Sequence, residues 1–250
     1  MKKLIVCACS LFMVSAFAKA QVGKYRSDLA IGVNGGLTMN SVTFSPRIQQ
    51  SMHFGPEVGV SIRYTCEKYF AAVCALQAEV NFTNLGWREV PENGSYTYTR
   101  NMNYIQVPFM TRMGFGRERK GAMGYIILGP QLGFCIGEND IRSGEWGDAT
   151  NPYDPQGPLI NVPKNAEGAW QQYNMAIEKK FQYGITGGAG VEFSHPKVGH
   201  FALEGRYYFG LSDIFYNGKK DIFGRSANST ITVKLSYFID VKKTKDNSIK

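Results

Sequence analysis

The strongest constraint on this chain is a two-residue alternation of apolar and polar side chains that recurs in eight separate runs. "NYIQVPFMTRMGF" is typical: Ile105, Val107, Phe109, Met113 and Phe115 fall on one face, Tyr104, Gln106, Met110 and Arg112 on the other. A period of two belongs to a strand with one apolar side. The runs cover 28–40, 53–65, 74–84, 103–115, 123–137, 181–193, 200–211 and 229–239. Each holds roughly 11–15 residues, where a tilted strand needs about 9–11 to cross a bilayer. Strands of soluble proteins are shorter, with a mode of about 5–6.

The segments between the runs carry a second signal. They are 41–52, 66–73, 85–102, 116–122, 138–180, 194–199 and 212–228, alternately long and short without exception. A barrel of the outer membrane has long external loops, short periplasmic turns and an even number of antiparallel strands. A soluble sandwich has no reason to sort its loops in this way. The expected fold is therefore all-β: an eight-stranded antiparallel up-and-down transmembrane β-barrel with long external loops and short periplasmic turns.

The polar faces decide which side meets lipid. They carry Glu57, Arg63, Glu79, Arg112, Glu192, Glu204, Arg206 and Lys234, four acids and four bases. A lipocalin-type barrel is apolar inside and polar outside, the reverse of what an outer-membrane barrel requires. The interior of an eight-stranded barrel is just filled by side chains, and opposite charges confined there limit their desolvation cost by pairing. An Arg or Lys facing lipid at the midplane costs about 2–4 kcal/mol. These eight residues are thus expected to form a charge network in the lumen. Ile127 and Phe238 fall on the polar face against the pattern. Pro108 and Pro130, which cannot donate to a ladder, fall nearly opposite each other if their turn centres on Arg119, and a local bulge is expected there.

The N-terminus reads as an export signal. Lys2 and Lys3 precede an apolar run from Leu4 to Phe17, and Ala18-Lys19-Ala20 supplies a small-x-small cleavage pattern. Residues 1–20 are expected to be a signal peptide, 21–240 the barrel domain and 241–250 a polar C-terminal tail. No later segment approaches the roughly 18 apolar residues of a membrane helix. The net charge of +8 is scattered and partly terminal, and an exported chain meets no genome, so no nucleic-acid partner is expected. Its surroundings would be outer-membrane lipid and lipopolysaccharide, with other envelope proteins or a surface ligand as partners of a monomer. Cys7 and Cys9 leave with the signal peptide. Of Cys66, Cys74 and Cys135, at most one pair can bond. Cys66 and Cys74 bracket the turn "EKYFAAV" and are the candidate disulfide, the alternative being two small apolar residues.

"GVNGGLT", "YIQVPFM", "LGPQLGF", "YGITGGAGVEF", "FALEGRYYFGLSDIF" and "LSYFI" follow one another along the chain. In this order they resemble the PorT-type, or porin-family, outer-membrane β-barrel proteins of Gram-negative bacteria, over nearly the whole mature chain. The resemblance implies an eight-stranded outer-membrane barrel, and for one branch of the family a part in type IX secretion. It implies no catalytic residue.

Residues that would carry chemistry are sparse. His53, His195 and His200 match no zinc spacing. His195 and His200 flank the turn "HPKVG" and read as exposed. His53 is the one histidine near the external rim, with Ser41, Ser45 and Ser51 in the adjoining loop, a minimal basis for a lipid-modifying enzyme. "GGAG" at 187–190 lacks the spacing and helix of a phosphate-binding turn and reads as small residues in a crowded strand. The long external segment 138–180 holds Trp146, Trp170 and Tyr173, candidate contact residues, and "EGAWQQYNMAIEKK" could form a short amphipathic helix with Trp170, Tyr173 and Ile177 on one side. No cofactor or metal is expected. The function these features suggest is non-enzymatic: surface binding or envelope support through external loops. A secretion component, a narrow channel and a lipid-modifying enzyme follow in that order. A general diffusion porin is excluded, since a water-filled channel needs about 16–18 strands.

Overall fold

Each alternating run coincides with a strand, and all but 200–211 with a strand longer than the run. The computed structural model describes residues 24–45, 47–69, 71–89, 96–118, 120–144, 176–215 and 224–244. Its strands are β1 (Lys24–Ser45), β2 (Gln50–Ser51), β3 (His53–Tyr69), β4 (Ala72–Glu89), β5 (Tyr96–Gly116), β6 (Gly121–Gly144), β7 (Phe181–His195), β8 (Gly199–Gly210) and β9 (Arg225–Lys242). Neighbours are antiparallel, β9 returns to β1, and β4 pairs with β5. The eight long strands therefore close into a ring with no free edge along the barrel body. β2 is a two-residue addition from the first loop onto the end of β4, Gln50 opposite Glu89 and Ser51 opposite Arg88.

The pleat sorts side chains as the alternation requires. On β9, Ile231, Val233, Leu235 and Ile239 point outward and are exposed, while Thr230, Thr232, Lys234 and Ser236 are buried. The same outward band continues through Val58, Val60 and Ile62 on β3 and Ile126 and Leu128 on β6. An apolar surface that encircles a protein is stable only when lipid covers it. Ile127 and Phe238 are buried inside.

The short connections, 70–71, 117–120 and 196–198, share one end, and the long ones share the other. At the last of the short turns, Gly199 has φ of +113°, and a Cβ there would sit 2.5 Å from the Phe238 carbonyl oxygen. Only glycine tolerates both conditions.

Two expectations need correction. No bulge forms at the prolines: β5–β6 pairing passes from Pro108 opposite Gln131 to Thr111 opposite Leu128 in unchanged register, and the bulge lies between Asn103 and Tyr104. A missing N–H removes a bond from the ladder without adding a residue, and only an added residue shifts register. The third external segment also starts later than residue 138, because β6 continues to Gly144. Above the lipid belt both strand faces leave the membrane, so the pattern that marks a membrane strand disappears while the ladder goes on.

In places the pattern inverts rather than disappears. Val42, Phe44, Leu85 and Trp87 point inward and are buried, whereas Arg88 points outward and is exposed. The external end of the barrel is thus built like a soluble protein, with an apolar core of its own.

Candidate functional site

That core closes the lumen at the loop end. Val42 and Phe44 from β1, Leu85 and Trp87 from β4, and Tyr98 and Met102 from β5 meet Ile177, Ile214 and Phe215 from the flanking loop segments. Phe44 and Phe215 stand edge-on to Trp87, with ring centroids 5.3 and 6.4 Å away. The indole N–H donates to Glu89 at 2.9 Å, so the largest buried side chain has no orphaned donor. The loop residues are tied down through backbone groups. The Ile214 N–H donates to the Ser226 carbonyl at 2.8 Å, the Ser226 N–H to Asp213 at 2.8 Å and the Ile177 N–H to Glu138 at 3.2 Å.

Below this plug lies a layer of amides. Asn40 donates to Asn228 at 3.0 Å, Asn228 to Gln182 at 2.9 Å and Gln182 to the Tyr104 hydroxyl at 2.6 Å, while Thr230 donates to Asn40 at 2.6 Å. Chains of this kind satisfy buried polar groups without net charge.

Deeper still, the lumen is ionic in two tiers. In the first, Glu79 accepts from Arg206 at 2.9 and 2.6 Å, from Asn81 at 2.9 Å, from Gln77 at 2.7 Å and from Lys234. Glu57 accepts from Asn81 at 3.2 Å and from Lys234 at 3.5 Å, and Glu204 takes Arg206 and the Tyr125 hydroxyl, the latter at 2.9 Å. In the second tier Arg63 and Arg112 converge on one oxygen of Glu192, Arg112 at 2.6 Å. Their guanidiniums lie over the rings of Phe238 and Tyr125, at 4.4 and 3.6 Å from the ring centroids. Phe238, anomalous in the alternation, is thus the apolar floor of an arginine. All eight charges expected in the lumen are buried there.

The "GGAG" stretch makes room for this filling. A Cβ at Gly188 would lie 2.9 Å from the Arg206 Cα and 2.2 Å from the Gly205 carbonyl oxygen, and one at Gly190 would lie 2.6 Å from the Tyr125 hydroxyl. In so narrow a barrel, a long side chain on one strand requires a missing one opposite.

Two participants were not expected. His200, read from sequence as exposed, is half-buried: Nε2 lies 2.7 Å from Asp240, and Nδ1 lies 2.8 Å from the Ser194 hydroxyl and 3.2 Å from Glu192. The adjacent turn suggests exposure, but the residue stands on the inward face of β8, opposite Ser194 of β7. Asp240 lies one residue beyond the eighth alternating run, which ends at 239. Extending the inward series Lys234, Ser236, Phe238 by one step reaches it. Ser194, His200 and Asp240 have the connectivity of a hydrolytic triad. Here both imidazole nitrogens face carboxylates and Ser194 is buried, and the contacts tie β7, β8 and β9 together.

The remaining candidates are dispersed. His195 is exposed in its turn, and the His53 Nε2 lies 2.8 Å from the Asn84 side-chain oxygen. Trp146, Trp170 and Tyr173 lie outside the described residues, as does most of the helix expected at 167–180. Its described end, 176–180, is not helical, and Ile177 is drawn into the plug instead. Cys66 and Cys74 are free thiols, not a disulfide. Glu67 takes the place opposite Cys74, because Cys66 is the extra residue where the β3–β4 register shifts. Among the described residues no group of His, Cys, Asp and Glu is placed to hold a metal ion.

Comparison with known proteins adds a family and several folds. Residues 19–216 match the profile described as outer membrane protein beta-barrel domain. No curated protein matches the chain. Among solved structures, neisserial surface protein A is 11% identical with a TM-score of 0.41, covering 84% of this chain and 96% of its own. OprG from Pseudomonas aeruginosa is 9% identical with a TM-score of 0.45, covering 87% and 98%. Ail, the attachment invasion locus protein of Yersinia pestis, solved with a heparin analogue, is 11% identical with a TM-score of 0.38, covering 85% and 99%.

Proposed function

Because the chain belongs to the outer membrane protein beta-barrel domain family, we propose that it is a monomeric, non-enzymatic surface protein of the outer membrane. It binds a surface ligand, or supports the envelope, through its external loops. One observation carries this reading: the lumen is filled from the Trp87 plug down to the Glu192 tier. A filled barrel offers solutes no route, and the elaborated end is the one bearing the long loops. Lipid and lipopolysaccharide surround the belt, and a working partner meets the loop face.

The experiment is an adhesion assay with intact cells that display either the full chain or a variant lacking 146–174, over surfaces coated with polysaccharides, proteins and lipopolysaccharide. The reading predicts retention of full-length cells on one class of surface, lost on deletion while the barrel still resists heat in detergent. Equal retention of both cell types on every surface would contradict it. A PorT-like role in type IX secretion draws its support from the order of the sequence motifs. It predicts cargo stranded in the periplasm when the gene is removed.

A further inference from the structure

At the end bearing the short turns, the lumen opens into a cavity of about 280 Å³ beneath the second ionic tier. Arg63, Arg112, Glu192, His200, Asp240 and Lys243 line it. Its hydrogen bonding is lopsided. The carboxylates each have several partners: Glu192 faces Arg63, Arg112, Ser194 and His200, and Asp240 faces His200 and Lys243. At the rim Glu118 takes Arg26 and Lys68, and Asp28 takes Arg26 and the Thr244 N–H.

The guanidiniums are not saturated. Each carries five N–H donors, yet among the described residues Arg63 and Arg112 each make one hydrogen bond, both to the same Glu192 oxygen. The Arg112 Nε is buried with no partner. Phe238 and Tyr125 cover one face of each group, so a further polar partner has to approach the N–H edges. Two guanidinium charges share one carboxylate, so this wall of the cavity is cationic. Surplus donors and surplus positive charge are both answered by a small anion, and planar guanidiniums suit oxyanions through paired N–H bonds.

We propose that this cavity is a binding site for a phosphate group, entered from the periplasmic side. The volume exceeds what a bare ion needs, since a water molecule's share of the liquid is about 30 Å³, so a small carrier attached to the phosphate also fits. The proposal is independent of the loop reading, because it concerns the opposite end of the barrel.

The test is calorimetric titration of the refolded mature protein, in an uncharged maltoside detergent at low ionic strength. Inorganic phosphate is the probe and sodium chloride at matched ionic strength the control. The expected result is one saturable phosphate site, weakened at least tenfold by Arg112→Gln. Ala75→Leu, which fills the cavity from its wall and leaves every charge in place, should weaken it as well. Because Arg112→Gln disturbs the ionic tier and could prevent refolding, Ala75→Leu carries the test by itself. Glycerol phosphate binding more tightly than phosphate would identify a lipid headgroup as the source, and equal or weaker binding would identify free phosphate. No saturable phosphate binding, or unchanged affinity in Ala75→Leu, would overturn the proposal.

Discussion

Lys234 of β9 and Glu79 of β4 meet in the middle of the lumen, from strands that share no edge, and neither side chain keeps any solvent exposure (0% for both). Their contact is a strut across the barrel. Removing one partner of a buried ion pair leaves the other charge uncompensated, at a cost of about 3–5 kcal/mol. Glu79→Ala leaves Lys234 with Glu57 alone and Arg206 with Glu204 alone, and should lower unfolding stability by no more than about 3–5 kcal/mol. Replacing Glu79 and Lys234 together by methionine should cost less than the sum of the single changes, because no pair is left half-made. Urea unfolding of the refolded protein in vesicles measures both.

The plug is a separate module. Trp87→Ala removes its central ring, and substitutions of this kind cost about 3–5 kcal/mol. Because the amide layer and two ionic tiers lie beneath it, the variant should be less stable yet still non-conducting. Unfolding midpoints and bilayer recordings on the same preparation separate the two effects.

The inward glycines make a steric prediction. Gly188→Val places side-chain carbons where Arg206 already sits, and overpacking of this sort costs about 1–3 kcal/mol. Gly205→Val, on the outward face of the adjacent strand where a Cβ meets nothing within 4 Å, should refold as the native chain does. The contrast is read from the fraction that acquires the heat-resistant, fast-migrating form on electrophoresis.

How legible was this barrel in its sequence? The belt was readable because one face must satisfy lipid and the other the lumen, so Ile231, Val233 and Leu235 alternate with Thr230, Thr232 and Lys234. The inward charges followed from the same pleat. The plug was not readable, because above the belt inside and outside exchange character: Trp87 is buried and Arg88 exposed, a short pattern that any soluble strand would share. His200 was hidden by its turn, and its partner Asp240 by one residue of strand. Which carboxylate meets which base depends on the tilt and stagger of the strands, and pairs such as Glu79 and Arg206 lie far apart along the chain.

Membrane orientation has its own test. Leu235→Arg, in the middle of the outward band of β9, should destabilise the barrel in a bilayer by about 2–4 kcal/mol. Val241→Arg, near the end of the same strand and also exposed, should cost about 0–1 kcal/mol. A depth gradient of this kind belongs to a bilayer. Equal costs at both positions would mean that the apolar face meets something other than lipid.

Plug, amide layer and ionic tiers together seal the lumen. Single-channel recording of the refolded mature protein in a planar bilayer reads that seal, and no steady openings are expected, for the native chain and for Trp87→Ala alike. Discrete openings in the native protein whose size changes in Glu79→Ala or Arg112→Ala would mean that the inward charges line a pore and that the lumen is not sealed.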